Sequence, residues 1–334
     1  MVILFLKIIK ILIFISILCV KDIRRKLIMD IIVVLVTFNR LKDLKITLDA
    51  WDQQTEKPRN MIIVDNKSTD GTISFLEQWK KKESGFKKEV IELPENIGGA
   101  GGFYEGMKMA LNISNDWVFV SDDDAIPRDN MIEKIKSFVT SHDDLIEQCS
   151  AICTGVYNED HFSGIHRCRI EKSIIGFYEK PVKEEEYQKE YFPIDIYSFV
   201  GTFIRKSALK QAGLPERDFF IYNDDYEHAV RVGKTGKMIC VPSSVIYHID
   251  NLKNDKYPTW RDYYATRNGV IMHRKHFGIW GGLSRSLRRF GMAVISGNFI
   301  KMKLIITGIK DGYEGKQGLH PIYKPGWNPK QKIQ

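Results

Sequence analysis

Cysteine is scarce in this chain: Cys19, Cys149, Cys153, Cys168 and Cys240 are the five in 334 residues, an odd number with no Cys-x-x-Cys pair. That excludes a disulfide framework and a cysteine-based zinc site, and it indicates a reducing compartment. Low-complexity tracts and internal repeats are absent as well. His273 and His276 lie three apart but have only Arg274 and Lys275 between them and no carboxylate or thiol nearby in sequence, so they read as part of a solvated basic helix. Nucleotide-binding fingerprints are also missing. The glycine-rich run Asn96–Phe103 lacks the Gly-Lys-Ser/Thr of a P-loop and does not fit G-x-G-x-x-G.

Acidic charge is lacking at both ends of the chain. Residues 1–29 carry +5 and residues 270–334 carry +10, so within a net charge of +8 the centre, 30–269, holds −7. The high pI therefore belongs to the termini. An acidic centre speaks against a nucleic-acid enzyme and for a cation-holding site, whereas basic ends suit anionic lipid. The length allows one large domain or two smaller ones.

Val2–Val20 is nearly all apolar, broken by Lys7 and Lys10 and followed by Lys21, Arg24, Arg25 and Lys26. No small-residue cleavage site follows it, so it is not a cleaved signal. Two readings stand: a membrane anchor with the following domain on the cytoplasmic face, or a start-site artefact, with the protein beginning at Met29. Beyond it, hydrophobic runs and amphipathic periods alternate. Strands are predicted at Ile31–Val36, Met61–Val64, Val90–Leu93 and Asp116–Val120, and helices over 41–51, Ile73–Trp79 and Gly102–Leu111. A βαβα alternation calls for a mostly parallel sheet with helices on both faces. Further strands are predicted at Ala151–Val156, Tyr197–Ile204 and Ser244–Ile249, then a helix over Tyr257–His276 with Trp260 on one side of it.

Polar groups collect where these strands end. The fourth strand runs into Asp122, Asp123 and Asp124, and alternate carboxylates there could hold Mg²⁺ or Mn²⁺. A capping turn before the next helix is the plainer reading of the triplet alone. Asp224, Asp225 and Glu227 open another helix, where acidic residues favour the dipole; His248 closes a strand beside the acidic edge. Basic and apolar residues alternate over Leu287–Ile309, which fits a helix pair on a membrane surface or one covering the core.

Val36-Thr-Phe-Asn-Arg40, Val64–Thr72, Glu95–Phe103, Asp122-Asp-Asp124 and Asn223–Glu227, in this order, resemble a family 2 glycosyltransferase of the GT-A type over residues 30–275. Within that family the chain looks most like the bacterial galactofuranosyltransferases, with rhamnosyltransferases close by. The resemblance implies an α/β, Rossmann-like fold: a catalytic domain over 29–276 and basic amphipathic helices and tail over 277–334. Thr37, Asn39, Arg40, Asp65, Asn96, Gly98, Gly99, Gly101 and Asp123 would border the nucleotide sugar. Asp122, Asp124 and His248 would hold Mn²⁺ or Mg²⁺. Asp225 would be the general base of an inverting transfer, with Asp224, Glu227 and Trp260 on the acceptor. The implied partners are UDP-galactofuranose, with dTDP-rhamnose the alternative donor, and a lipid-linked or polysaccharide acceptor at the cytoplasmic face of a bacterial membrane. No nucleic acid is implied, and a homo-oligomer is compatible. The rival from another class is a catalytically idle nucleotide- or glycan-binding assembly partner. Segment 157–195 matches nothing in the family pattern.

Overall fold

The computed structural model describes residues 29–158, 161–174, 176–248 and 257–329. The anchor-or-artefact segment 1–28 lies outside the described residues. In chain order the strands are β1 (Ile31–Thr37), β2 (Asn60–Asp65), β3 (Lys87–Glu92), β4 (Trp117–Asp122), β5 (Ala125–Pro127), β6 (Cys149–Asn158), β7 (His161–Phe162), β8 (Arg167–Ser173), β9 (Gly176–Pro181), β10 (Phe192–Pro193), β11 (Ile196–Tyr197), β12 (Thr202–Arg205) and β13 (Lys237–His248). The helices are α1 (Leu41–Asp52), α2 (Thr72–Lys81), α3 (Gly98–Leu111), α4 (Met131–Ser141), α5 (Asp143–Glu147), α6 (Lys206–Ala212), α7 (Asp224–Gly233), α8 (Trp260–Ile295) and α9 (Phe299–Glu314).

The main sheet runs β10-β13-β6-β12-β4-β1-β2-β3. β3, β2, β1 and β4 are parallel, as the βαβα alternation requires, and β12 joins antiparallel to both β4 and β6. All seven residues of β1 are buried. Ile31, Val33 and Leu35 face a core with Leu44, Leu48 and Trp51 of α1, while Ile32, Val34 and Val36 face one with Phe103 and Met107 of α3. Each such side chain removed from water stabilises the fold by roughly 1.5–3 kcal/mol, so this strand anchors both layers.

Several boundaries differ from the sequence expectation. α3 begins at Gly98, four residues early. Its glycines are poor helix formers, but a Cβ on Gly102 or Gly106 would lie 2.4 Å from Val36 or Val34, so their absence lets the helix lie close on β1. The expected strand 197–204 is two short strands, β11 and β12, because the chain bends at Gly201 with φ +71. β13 starts at Lys237, seven residues early, and carries a register shift between Val241 and Val245. The helix expected from Tyr257 starts at Trp260, behind a Thr259–Asp262 capping box, and continues past 276 through a non-helical Gly278 to Ile295. Segment 157–195 supplies β8 and β9 of a small sheet, β11-β8-β9, whose outer strand β9 packs on α8. The described cysteines are buried and unpaired with one another.

Candidate active site

The carboxyl edge of the parallel strands gathers the acidic residues. Thr37 at the end of β1 is in register with Asp65 of β2, and Val36 with Asp122 of β4. His248 pairs with Ala125 across β13 and β5, which sets it beside Asp124. Of these, Val36, Thr37, Asp122 and His248 border a cleft of about 760 Å³.

At one end of the cleft the side chains could hold a cation by geometry. Asp122, Asp124 and His248 each offer a ligand atom, all within 4.8 Å of one another. His248 Nε2 lies 3.2 Å from Asp124 Oδ1. Two carboxylates and one imidazole suit Mn²⁺ or Mg²⁺ in donor chemistry. Burial, and then repulsion from Asp124, pushes the Asp122 carboxyl up to about 6. Burial opposes ionisation of Asp124 too, but the hydrogen bond and charge of His248 and the charge of Arg40 hold its carboxyl below the ordinary value. The Arg40 guanidinium pairs with Asp124 and reaches Asp123 Oδ1 at 3.5 Å, so a protein cation already leans on this negative charge. Asp123 points into the protein: its Oδ2 accepts from Thr37 Oγ1 at 2.6 Å and its carbonyl from Thr47 Oγ1 at 2.8 Å. Burial raises the Asp123 carboxyl to about 7 against the Thr37 hydrogen bond.

Asp224 and Asp225 open α7 on the cleft wall. Burial lifts Asp224 to about 7 and Asp225 well above the ordinary carboxylate value, with repulsion from Asp224 and Asp122 adding to Asp225. Asp225 Oδ1 accepts the Tyr226 N–H at 2.8 Å. Trp260, from the first turn of α8, lines the same cleft.

Thr37, Arg40, Asn96, Gly98, Gly99, Asp122, Asp123, Asp224, Asp225, His248 and Trp260 therefore meet at one cleft. The other expected residues do not line it. Asn39, at φ +53, ties two loops together: its amide donates to Ser68 Oγ and its Oδ1 accepts from Thr69. Asp65 is buried, with Oδ2 accepting from the Ser68 amide and Oδ1 lacking a partner among the described residues. Gly101 is enclosed by Ile97, which a Cβ would meet at 2.5 Å. Asp124 supports the cation site from its edge.

Two sequence readings need correction. Glu227 does not reach the acceptor side of the cleft: its fully buried carboxylate is taken up by Arg231 at 2.7 Å, Lys275 at 2.9 Å and His276 at 2.9 Å. His273 and His276 are not on a solvated helix face, because His273 is buried against Glu179 at 2.7 Å and His276 against Glu227. Both histidines join α8 to the rest of the domain. Sequence reasoning also missed Asn66, His166, Ser198, Tyr222, Arg261 and Arg285 on the cleft wall. Asn66, directly after Asp65, was open to notice; its Nδ2 donates to the Gly98 carbonyl at 3.1 Å.

Residues 32–213 match the family model for glycosyl transferase family 2. The chain belongs to that family. Galactofuranosyltransferase GlfT1 of Mycolicibacterium smegmatis is 26% identical over 204 residues, 61% of this chain and 65% of that protein, so the match spans just under two thirds of the relative. Among solved structures, GalNAc-T7 with UDP, GalNAc and Mn²⁺ superposes with a TM-score of 0.59 at 13% identity, covering 86% of this chain and 56% of that one. The mannosyltransferase PcManGT of Pyrobaculum calidifontis, in complex with GDP-Man and Mn²⁺, gives 0.53 at 17%, covering 84% and 80%. The fold is thus that of the GT-A glycosyltransferases: a mostly parallel sheet flanked by helices, with a helical C-terminal region. Asp224, Asp225 and His248 lie beyond the residues the family model matches.

Proposed function

We propose that this chain is an inverting, divalent-cation-dependent galactofuranosyltransferase acting on a lipid-linked glycan. The observation that carries the reading is the meeting of Asp122 and His248 with Asp225 at one cleft, with Asp124 completing a cluster of possible metal ligands beside it. The donor assignment rests on the family 2 fold, on the order of the sequence motifs and on the similarity to GlfT1.

A divalent cation held by Asp122, Asp124 and His248 would neutralise charge developing on the leaving diphosphate. Asp65, whose buried Oδ1 lacks a partner among the described residues, would receive an N–H of the nucleobase. Asp123 and Thr37 form a fixed wall for the ribose or donor sugar. Asp225 takes the proton of the acceptor hydroxyl as its oxygen bonds to the anomeric carbon. The bond from that carbon to the diphosphate oxygen breaks, its electrons leave with the nucleoside diphosphate, and configuration inverts. A carboxylate whose burial raises its proton affinity is suited to that role. Asp224 and Trp260 orient the acceptor.

Membrane association is part of the same reading. Among the described residues no helix is long and apolar enough to cross a membrane. Half of the large exposed apolar side chains among the described residues nevertheless lie within 279–306, among them Ile279, Trp280, Leu287, Val294, Ile295 and Phe299, in the part of the chain that carries the +10 charge. An apolar face among cations fits an anionic bilayer surface.

The test offers UDP-galactofuranose and dTDP-rhamnose separately, with Mn²⁺ and a membrane glycolipid extract, and follows nucleotide release. Glycolipid-stimulated release of UDP alone supports the donor assignment. Release of dTDP alone would move the chain to rhamnosyl transfer, and binding without turnover would favour the idle-partner reading.

A further inference from the structure

The turn that delivers Asp224 and Asp225 is strained. Among the described residues five non-glycines have positive φ, and three of them are Phe220, Tyr222 and Asn223 at +66, +66 and +64. Phe220, with ψ −58, is the centre of a γ-turn closed by Ile221 N–H to Phe219 O at 2.8 Å, the rare positive-φ form. Such residues cost of order 1–3 kcal/mol each and persist only where surrounding contacts impose them.

Those contacts come from two neighbouring residues of α8. Asn268, fully buried, points Nδ2 at three carbonyls of the turn: Phe219 at 2.9 Å, Ile221 at 2.8 Å and Tyr222 at 2.9 Å. Two amide hydrogens serve three acceptors, so the turn closes around one nitrogen. Arg267 orients that amide through Nε to Asn268 Oδ1 at 2.9 Å, adds Nη2 to Phe219 O at 3.0 Å, and ties the C-terminal tail through Nη1 to Gly318 O at 2.7 Å. On the opposite side the Phe220 carbonyl accepts from Ala100 N–H at 3.2 Å, and a Cβ on Gly98 would come 1.9 Å from it. The turn is therefore gripped between the glycine-rich start of α3 and the buried pair on α8.

We infer that Asn268 is a positioning residue: oriented by Arg267, its amide holds the strained 219–223 turn in the conformation that aims Asp225 at the acceptor hydroxyl. The inference rests on Asp225 as the base. Without the amide, the turn relaxes toward negative φ and the start of α7 shifts, while the donor and cation groups on β1, β2 and β4 stay in place.

The experiment compares the full chain with Asn268→Ala, Tyr222→Gly, their double variant and Asp225→Asn. Each is measured for thermal midpoint, UDP affinity with Mn²⁺, kcat and donor KM. Asn268→Ala is expected to lower kcat about 100-fold, the cost of a displacement near 1 Å, with UDP affinity and donor KM within about threefold of wild type. Glycine at 222 accepts positive φ without strain, so on the Tyr222→Gly background the same substitution should cost less than about 10-fold. Should Asn268→Ala not fold, Asn268→Ser, which keeps one donor, is read by the same criteria. Unchanged kcat in Asn268→Ala alongside an inactive Asp225→Asn would overturn the positioning role and spare the base. So would a parallel loss of UDP affinity, or an identical penalty on the glycine background. An active Asp225→Asn would instead remove the base assignment itself.

Discussion

Replacing Glu227 by glutamine separates its two readings, acceptor ligand and internal anchor. The carboxylate is fully buried among Arg231, Lys275 and His276, with the Arg231 side chain 16% and the His276 side chain 3% exposed. Removing one partner from such a cluster typically costs about 3–5 kcal/mol, because the remaining charge is stranded. Lys275 is 42% exposed, so the lower end applies. At about 2–4 °C per kcal/mol for a large domain, a loss near 3 kcal/mol lowers the melting temperature by roughly 6–12 °C. Burial opposes ionisation of Glu227, yet the hydrogen bonds from His276 and Arg231 hold its carboxyl far below the ordinary 4.5. A depressed carboxyl contributes its full stability above the unfolded value and loses it as pH falls toward the folded one. The gap between wild type and Glu227→Gln should therefore be constant above about pH 5 and narrow on further acidification. Differential scanning fluorimetry from pH 3 to 8, with acceptor KM measured at pH 7, is the assay. A melting shift under about 2 °C with acceptor KM raised tenfold would refute the anchor and return Glu227 to the acceptor.

Glu179 makes a second pH-dependent link: burial opposes its ionisation, but the His273 hydrogen bond and the Arg285 charge hold its carboxyl at about 2. Glu179→Gln should flatten the stability profile between the ordinary value of 4.5 and about 2, and a profile parallel to wild type in acid denaturation would contradict that. Gly98→Ala forces a Cβ to 1.9 Å from the Phe220 carbonyl at φ +79, so the turn or the start of α3 must move. Transfer should fall at least 100-fold, and kinetics showing near-normal kcat would contradict the close approach. Asp124→Ala removes a proposed cation ligand and a partner of Arg40. Calorimetry should show Mn²⁺-enhanced UDP binding weakened at least tenfold, whereas unaltered enhancement would place the cation elsewhere.

The parts of this molecule that sequence shows well are those where one physical demand acts along the chain. β1 reads as a doubly covered strand because every residue from Ile31 to Val36 is apolar, and both faces are indeed packed. The acidic edge was legible because strand ends in a parallel sheet share one side, which brings Asp65 and Asp122 next to Thr37 and Val36. Tertiary pairing is what stayed hidden. Glu227 looks like a site residue beside Asp225, and the side chains that occupy it include Lys275 and His276 from a helix nearly fifty positions away. Asn268 sits in an ordinary helical pattern, and nothing local marks the three carbonyls it holds. β8 and β9 are half-exposed strands paired with each other, with β8 also beside β11 and β9 against α8, so neither strong alternation nor a continuous apolar run announces them.

In the proposed reaction Asp225 removes the acceptor proton while the Asp122, Asp124 and His248 cluster serves the leaving diphosphate. The measurement that tests it most directly is UDP release from UDP-galactofuranose in the presence of glycolipid acceptor and Mn²⁺, for wild type and Asp225→Asn, with and without EDTA. The account predicts acceptor-dependent release by wild type, abolished by EDTA, and a loss of about 10²–10⁴-fold in Asp225→Asn with UDP affinity intact. Release that persists in EDTA, or an Asp225→Asn variant that turns over like wild type, would contradict it.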